Sequence, residues 1–320
     1  MARDQPAGAT PITDPLDPAL DRFRPDPGIV DRYVSRTLPG GHRDIDVLLA
    51  MREDRQQGYS PNVALVGDTQ SGKTMLVQVL AVVAAQHDGL DKPYPVFTLN
   101  GSIGITNYEM FGQTTAIEVD GKERLVWLEG VVPMALRCGG FLYLDEWNAV
   151  NPAQATALHP VLDARRQFVN THRAVPDGHG GWMPEVVKAA PSMWVLSTIN
   201  PGYKGTQAMA EATTNRFRWL PWDYDPETEK ALIPSAIVRV LGFALREARA
   251  ERSLSLPIGT SALMSLCHDA ERFGADFALW SFAALFPVNE RSRVQYIIDD
   301  MNIADSLREE YPDPASSSRR

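Results

Sequence analysis

VALVGDTQSGKT, residues 63–74, decides how the rest of the chain is read. Val63 to Val66 is a short apolar run of the kind that forms a buried strand. Gly67-Asp68-Thr69-Gln70-Ser71-Gly72-Lys73-Thr74 then fits G-x-x-x-x-G-K-[ST] at every position. Met75 opens an apolar, glycine-free run to Ala85 that is long enough for a helix. Strand, glycine-rich loop and helix in that order make a phosphate cradle. Gly67 and Gly72 let the backbone curl until its N–H groups converge, and the helix start turns its positive dipole end toward the same point. Lys73 places a cation at the β/γ-phosphates, and the Thr74 hydroxyl is a ligand for Mg²⁺. Residues Gly67 to Met75 are therefore the expected binding segment, with ATP and Mg²⁺ as the expected cofactors.

A second feature agrees with the first. Phe141-Leu142-Tyr143-Leu144 is a buried strand by composition, and it runs straight into Asp145-Glu146. A carboxylate at the end of such a strand faces the metal of a nucleotide held by the loop, which makes Asp145 the expected Mg²⁺ partner. Glu146 is then placed to polarise the attacking water. Asn200 ends the next apolar strand, Met193 to Thr198. Its amide reads either as a group that orients water and touches the γ-phosphate or as plain turn chemistry, since Asn-Pro-Gly favours a turn by itself. Arg216, in TTNRFRW, is a candidate for reaching a neighbour's γ-phosphate, with Arg218 as an adjacent competitor. Arg165 and Arg166 are further candidates for contacts between subunits.

The remaining sequence fits around these elements. With 320 residues, 44% of them apolar and 22% charged, the chain has enough material for one large or two modest domains. Its net charge of −9 argues against a generally basic nucleic-acid surface. Cys138 and Cys267 have no metal or redox spacing and are read as buried reduced thiols of a cytoplasmic protein. No apolar run approaches membrane-spanning length, and the N-terminus has no secretion-signal pattern. The six histidines show no ligand spacing, and His159 reads as a packed or exposed imidazole. Trp182, Trp194, Trp219 and Trp222 are expected in strand and core positions.

Residues 1–28, rich in Pro and Asp, are expected to be a disordered or extended arm. A helix is expected over 44–57. Strands are expected at 94–99, 141–144, 193–198 and 219–222 besides the one before the loop. Two hairpins are expected: 116–127 around Asp120-Gly121, and 167–187 around a Gly-rich turn. Strands alternating with helices imply an α/β domain, residues 29–225, with a parallel sheet that binds phosphates at the carboxyl ends of its strands. From Pro226 helical patterns dominate, over about 227–251, 260–273, 277–286 and 290–307. They make a small helical domain, 226–308, before a loose tail, 309–320.

With these residues on the page, the chain resembles the AAA+ ATPases, a family of P-loop NTPases with a five-stranded parallel sheet and a small C-terminal helical lid. Within them it is similar to the MoxR-like group, especially the CbbQ/NirQ/NorQ branch, whose domain is also described as dynein-related. The resemblance covers about residues 31–300. It is carried by GDTQSGKT (67–74), WLEGVVPMALRCGGFLYLDEWN (127–148), LHPVLDARR (158–166), STINPGY (197–203) and NRF (215–217). It implies Asn200 as the sensor-1 residue and Arg216 as an arginine finger acting in trans. It implies a ring, expected to be a hexamer, with both hairpins facing its pore. It also implies a chaperone-like role on a partner protein, often one with a von Willebrand factor A domain. The family carries a sensor-2 arginine early in a lid helix; here Leu263 occupies that position, with Arg272 and Arg291 as possible substitutes. Two other readings of the same core are a nucleic-acid translocase with a basic pore (Lys122, Arg124, Arg165, Arg166, Arg173) and an ATP-gated binding module with little turnover.

Overall fold

A computed structural model describes residues 11–54, 60–119, 121–201 and 209–312. Asp120, the end of the helix expected over 44–57, the Tyr203 end of STINPGY, the first ten residues and the tail from residue 313 lie outside the described residues. The chain divides into two packing units.

The first unit comprises residues up to 33, 38–66 and 73–221. A two-residue ladder, β1 (Thr37–Leu38) with β2 (His42–Arg43), leads into helix α1 (Asp44–Glu53). Strand β3 (Val63–Val66) precedes the loop, and α2 (Lys73–His87) follows it. Next come β4 (Val96–Asn100), the short helix α3 (Asn107–Phe111), the hairpin β5 (Gly112–Val119) and β6 (Lys122–Glu129), then α4 (Val131–Cys138) and β7 (Phe141–Asp145). After β7 the chain forms α5 (Pro152–Ala157) and α6 (His159–Leu162), and a second hairpin, β8 (Gln167–Pro176) and β9 (Trp182–Lys188). It ends with β10 (Trp194–Ile199), α7 (Glu211–Thr214) and β11 (Arg218–Pro221). Five of these strands form one sheet in the order β11-β3-β10-β7-β4. Every neighbouring pair in it is parallel, as expected from the alternation of strands and helices.

The sequence explains why the centre of this sheet is so regular. Residues of β3, β7 and β10 are apolar on both faces, and nearly all are buried, which is the pattern of a parallel strand covered on both sides. Helix α4 ends where Gly139 takes a left-handed conformation (φ +74°). A side chain there would be strained at this φ and would push on the hydroxyl of Ser192, so the position favours glycine. Both hairpins are longer than expected, and β8–β9 carries an irregularity between Asn170 and Ala174. Trp194 and Trp222 are core residues, whereas Trp182 and Trp219 lie on strands β9 and β11 but are exposed, so all four hold strand or core positions and two of them are not buried.

One expectation is overturned. Residues 11–28 are not a disordered arm: they include two 3₁₀ helices' worth of packed structure beginning at Pro18 and Pro27, each capped by an aspartate, Asp17 and Asp26. Leu20 is buried in the main core, and Ile12 and Phe23 pack against it. The Phe23 ring lies 5.0 Å from that of Phe97. The polar composition of the segment concealed that three of its apolar residues, Ile12, Leu20 and Phe23, reach the core.

The second unit comprises residues 34–37, 67–72 and 222 onward. Its helices are α8 (Pro226–Leu232), α9 (Ala236–Ala250), α10 (Thr260–Phe273), α11 (Ala275–Ala283), α12 (Arg291–Asp300) and α13 (Ile303–Glu310), around their own apolar core. Two expected single helices are split. Pro234 cannot continue a helix, and Ser235 caps the next one. Asn302 adopts a left-handed conformation (φ +52°) between α12 and α13.

Leu20→Ala tests whether the N-terminal segment belongs to the core. It is expected to lower the unfolding free energy by about 2–5 kcal/mol, the usual cost of a buried leucine, as read by denaturant unfolding. An unchanged midpoint would mean that the segment does not contribute to the fold.

Candidate functional site

The carboxyl ends of β3, β7 and β10 lie side by side. Val66 pairs with Ile199, and Leu144 with Ser197. That register brings the start of α2, the end of β7 and the end of β10 to one place. The Asp145 carboxylate oxygen Oδ1 accepts from Tyr143 Oη at 2.7 Å and from Thr198 Oγ1 at 2.5 Å. Tyr143 Oη also lies 3.1 Å from Thr74 Oγ1. Burial, then the charge of Asp145, pushes the Tyr143 phenol well above its ordinary range, so this hydroxyl keeps its proton. Thr74 and Asp145, the two residues expected at the metal, are thus linked through one tyrosine hydroxyl.

Glu146 follows in a left-handed conformation (φ +48°), uncommon for a residue with a side chain. Its backbone N–H donates to Thr198 Oγ1 at 3.0 Å, and its Oε1 accepts from Asn200 Nδ2 at 2.8 Å. The expected base and the expected sensor are therefore in direct contact. Asn148 holds Asn200 from behind: its Nδ2 donates to the Asn200 carbonyl at 3.0 Å. The Oδ1 of Asn200 is buried without a hydrogen-bond partner among the described residues. Strain at Glu146 and an unused buried acceptor beside it are features that accumulate at functional sites.

Loop residues 67–72 are held by groups of the second unit. Gly67 runs so close to the Trp222 carbonyl that any side chain would overlap it. Tyr224 Oη donates to the Thr69 carbonyl at 2.9 Å, and Arg36 donates to the Ser71 carbonyl. Arg36 also stacks on Trp222 at 4.5 Å and donates to the Asp223 carbonyl at 2.7 Å. Ser261 Oγ donates to Gln70 Oε1 at 2.9 Å, and Asp68 pairs with Arg249 at 2.5 Å. These contacts fix the course of the loop's backbone.

The candidate arginines separate. Arg218 pairs with Asp54 at 2.6 Å. Arg165, largely exposed, pairs with Asp163 at 2.7 Å, and Arg166 donates to the Met193 carbonyl at 2.7 Å. Arg216 donates to the Ala212 carbonyl of its own helical turn, and none of its hydrogen bonds among the described residues reaches Asp145, Glu146 or Asn200. Its charge acts on His159, whose imidazole is held below its ordinary pKa by burial first and by Arg216 second. His159 Nε2 is 2.8 Å from Thr213 Oγ1, a packed imidazole as expected.

Leu263 is fully buried in the helical core, with its methyls against Gly242. Arg272 stacks on Phe273, and Arg291 donates to the carbonyls of Phe286 and Ala284. Neither is hydrogen-bonded to the loop among the described residues. Sequence reasoning missed the residue that does touch the loop, Arg249 on α9. It also missed Tyr143, Thr198 and Asn148. The Tyr143 and Thr198 hydroxyls sit inside apolar strand runs and read as core.

A hydroxyl and a carboxylate are hard oxygen donors, the kind that Mg²⁺ takes when nucleotide phosphates supply the rest of its shell. Among the described residues no group of three or more His, Cys, Asp or Glu could hold a metal without such help. The residues fit Mg²⁺ with ATP. No helix among the described residues is long and apolar enough to cross a membrane.

Comparison with known proteins agrees with this geometry. Residues 62–217 match the AAA domain (dynein-related subfamily). That stretch runs from the residue before β3 to the residue before β11 and takes in the loop, Asp145, Glu146, Asn200 and Arg216. This stretch accordingly has the α/β fold of an AAA domain with a P-loop. An uncharacterized protein of Staphylococcus aureus (strain bovine RF122 / ET3-1) is 35% identical over 164 residues, 51% of this chain and 56% of that one. A counterpart in strain USA300 is 34% identical over the same length. The chain spans about half the length of the curated relatives it matches. A crystal structure of a candidate ATPase from Cytophaga hutchinsonii aligns with a TM-score of 0.40 at 16% identity, over 84% of this chain and 82% of that one. That likeness is too loose to bear on activity.

Leu263→Arg is expected to unfold the helical unit. It would bury an unpaired charge in a closed core. A thermal melt that drops or loses cooperativity fits this account, whereas a stably folded variant would contradict it.

Proposed function

We propose that this chain is a Mg²⁺-dependent ATPase of the AAA+ type, working in a ring to remodel a partner protein. The observation that carries the reading is the convergence of Thr74, Asp145, Glu146 and Asn200 at adjacent strand ends, directly after a phosphate loop with no mismatch. In this reading residues 67–73 bind the triphosphate, with Lys73 as the cation at its end. Thr74 and Asp145 hold Mg²⁺, which neutralises charge on the β- and γ-phosphates when bound. Glu146 takes the proton of the attacking water. Asn200 spends one N–H on Glu146, fixing that carboxylate, and its unpartnered Oδ1 is left to accept from the water. A fixed acceptor pair of this kind orients a nucleophile before reaction.

The ring and the client rest on resemblance to the MoxR-like proteins of the CbbQ/NirQ/NorQ branch, including a partner with a von Willebrand factor A domain. In that setting Arg216 is the arginine supplied to a neighbour's site, which suits a guanidinium without a hydrogen bond to Glu146 or Asn200 among the described residues. A nucleic-acid motor is less well supported. Arg173, one of the basic hairpin residues such a pore would use, is drawn into an ion cluster with Arg137, Glu129 and Glu185, and Arg165 is paired with Asp163.

Three variants test the reading. Glu146→Gln is expected to retain ATP while phosphate release falls by roughly 10²–10⁴-fold, the scale of losing a general base; wild-type turnover would place the base elsewhere. Lys73→Ala is expected to weaken ATP by about 10- to 100-fold through loss of a charged hydrogen bond. Arg216→Ala is expected to bind ATP normally but to lose roughly 10³-fold in hydrolysis. Mixing it with Lys73→Ala subunits should restore part of the activity, because some intact arginines then face intact sites. Loss without rescue would remove the trans role.

A further inference from the structure

Strand β7 presents a phenol where its neighbours Leu142 and Leu144 are plain core residues. Tyr143 is 2% exposed, and a buried phenol needs partners for its oxygen. Its partners are three side-chain oxygens: Asp145 Oδ1 at 2.7 Å, Thr74 Oγ1 at 3.1 Å and Thr198 Oγ1 at 3.3 Å.

The protons can be counted. A carboxylate only accepts, and each hydroxyl has one proton to give. Tyr143 gives its proton to Asp145, and so does Thr198 at 2.5 Å. Nothing is left for Tyr143 to donate to Thr74, so at that contact Thr74 must donate and Tyr143 must accept. The same count leaves the longer Tyr143–Thr198 contact without a proton.

Two consequences follow for a cation. An alcohol oxygen that ligates a dication must send its proton the other way, and Tyr143 supplies the acceptor that Thr74 needs. Asp145 Oδ1 is saturated by two hydroxyls, so Oδ2 is the oxygen without a protein donor among the described residues. Thr198 has a second task, since it also accepts from the Glu146 backbone N–H and so ties the metal carboxylate to the neighbouring base.

Building on the proposed function, we infer that Tyr143, together with Thr198, is a positioning residue for the divalent metal: it takes the Thr74 proton and gives its own to Asp145, so that both ligand oxygens meet Mg²⁺ correctly oriented. The effect belongs to the metal and not to the nucleotide. Residues behind metal ligands commonly govern affinity in this way.

The test is ATP binding by the full chain, measured by calorimetry in EDTA and across a Mg²⁺ series. Tyr143→Phe keeps the ring and removes only the hydroxyl. Its ATP affinity in EDTA should match wild type, while the Mg²⁺ concentration giving half-maximal tightening should rise by roughly 10-fold, the low end for loss of such a partner. Thr198→Val should shift the same midpoint, and it carries the test if Tyr143→Phe proves unstable in a thermal melt. An unchanged Mg²⁺ midpoint overturns the inference, as does an equal loss with and without metal, which is the mark of a merely structural role. Wild-type protein that fails to bind ATP even with Mg²⁺ would instead remove the proposed function.

Discussion

Strand β10 is hydrogen-bonded to β3 along one side and to β7 along the other, and the candidate site depends on that double pairing. Because the strands are parallel, their carboxyl ends emerge together. Because the register is fixed, Thr198 falls beside Asp145 and Asn200 beside Glu146. A one-residue slip would turn every side chain of β10 to the opposite face and separate both pairs. Trp194, Val195, Leu196 and Ile199 are all in closed core, and a slip would have to repack each of them. The chemistry at the strand ends is thus held by hydrophobic packing several residues away.

The loop depends on a second constraint. Its carbonyls at Thr69 and Ser71 are claimed by Tyr224 and Arg36, and its carboxylate Asp68 by Arg249. These groups come from residue 36 and from residues beyond 220, so the loop's conformation is set by distant parts of the sequence. The Asp68–Arg249 pair is about a quarter exposed at each end, a setting in which an ion pair adds little to stability and more to orientation. Leu263 is buried in the helical core, and the arginine placed against the loop is Arg249 of α9.

Much of this was legible in the sequence. The phosphate loop, the acidic pair after β7, Asn200 at the end of β10 and the five parallel strands all follow from local patterns with strong physical causes. The rest was hidden for definite reasons. Tyr143 and Thr198 sit in apolar strand runs, where a hydroxyl reads as incidental; only the register shows that both reach Asp145. Arg249 is one of several charged residues along α9, and nothing local distinguishes the one that meets Asp68. The N-terminal segment was misread because composition averages over residues, while burial depends on where Ile12, Leu20 and Phe23 happen to face. The break at Pro234 was readable from proline chemistry alone, whereas the break at Asn302 required a left-handed residue that the sequence does not announce.

The central claim is that these strand ends hold Mg²⁺ and ATP for hydrolysis. The most direct measurement is phosphate release from ATP by the purified full chain, with Mg²⁺ and with EDTA. Sustained release that requires Mg²⁺ is the predicted result. Release that continues undiminished in EDTA, or none at all at saturating Mg²⁺ and ATP, would contradict the account.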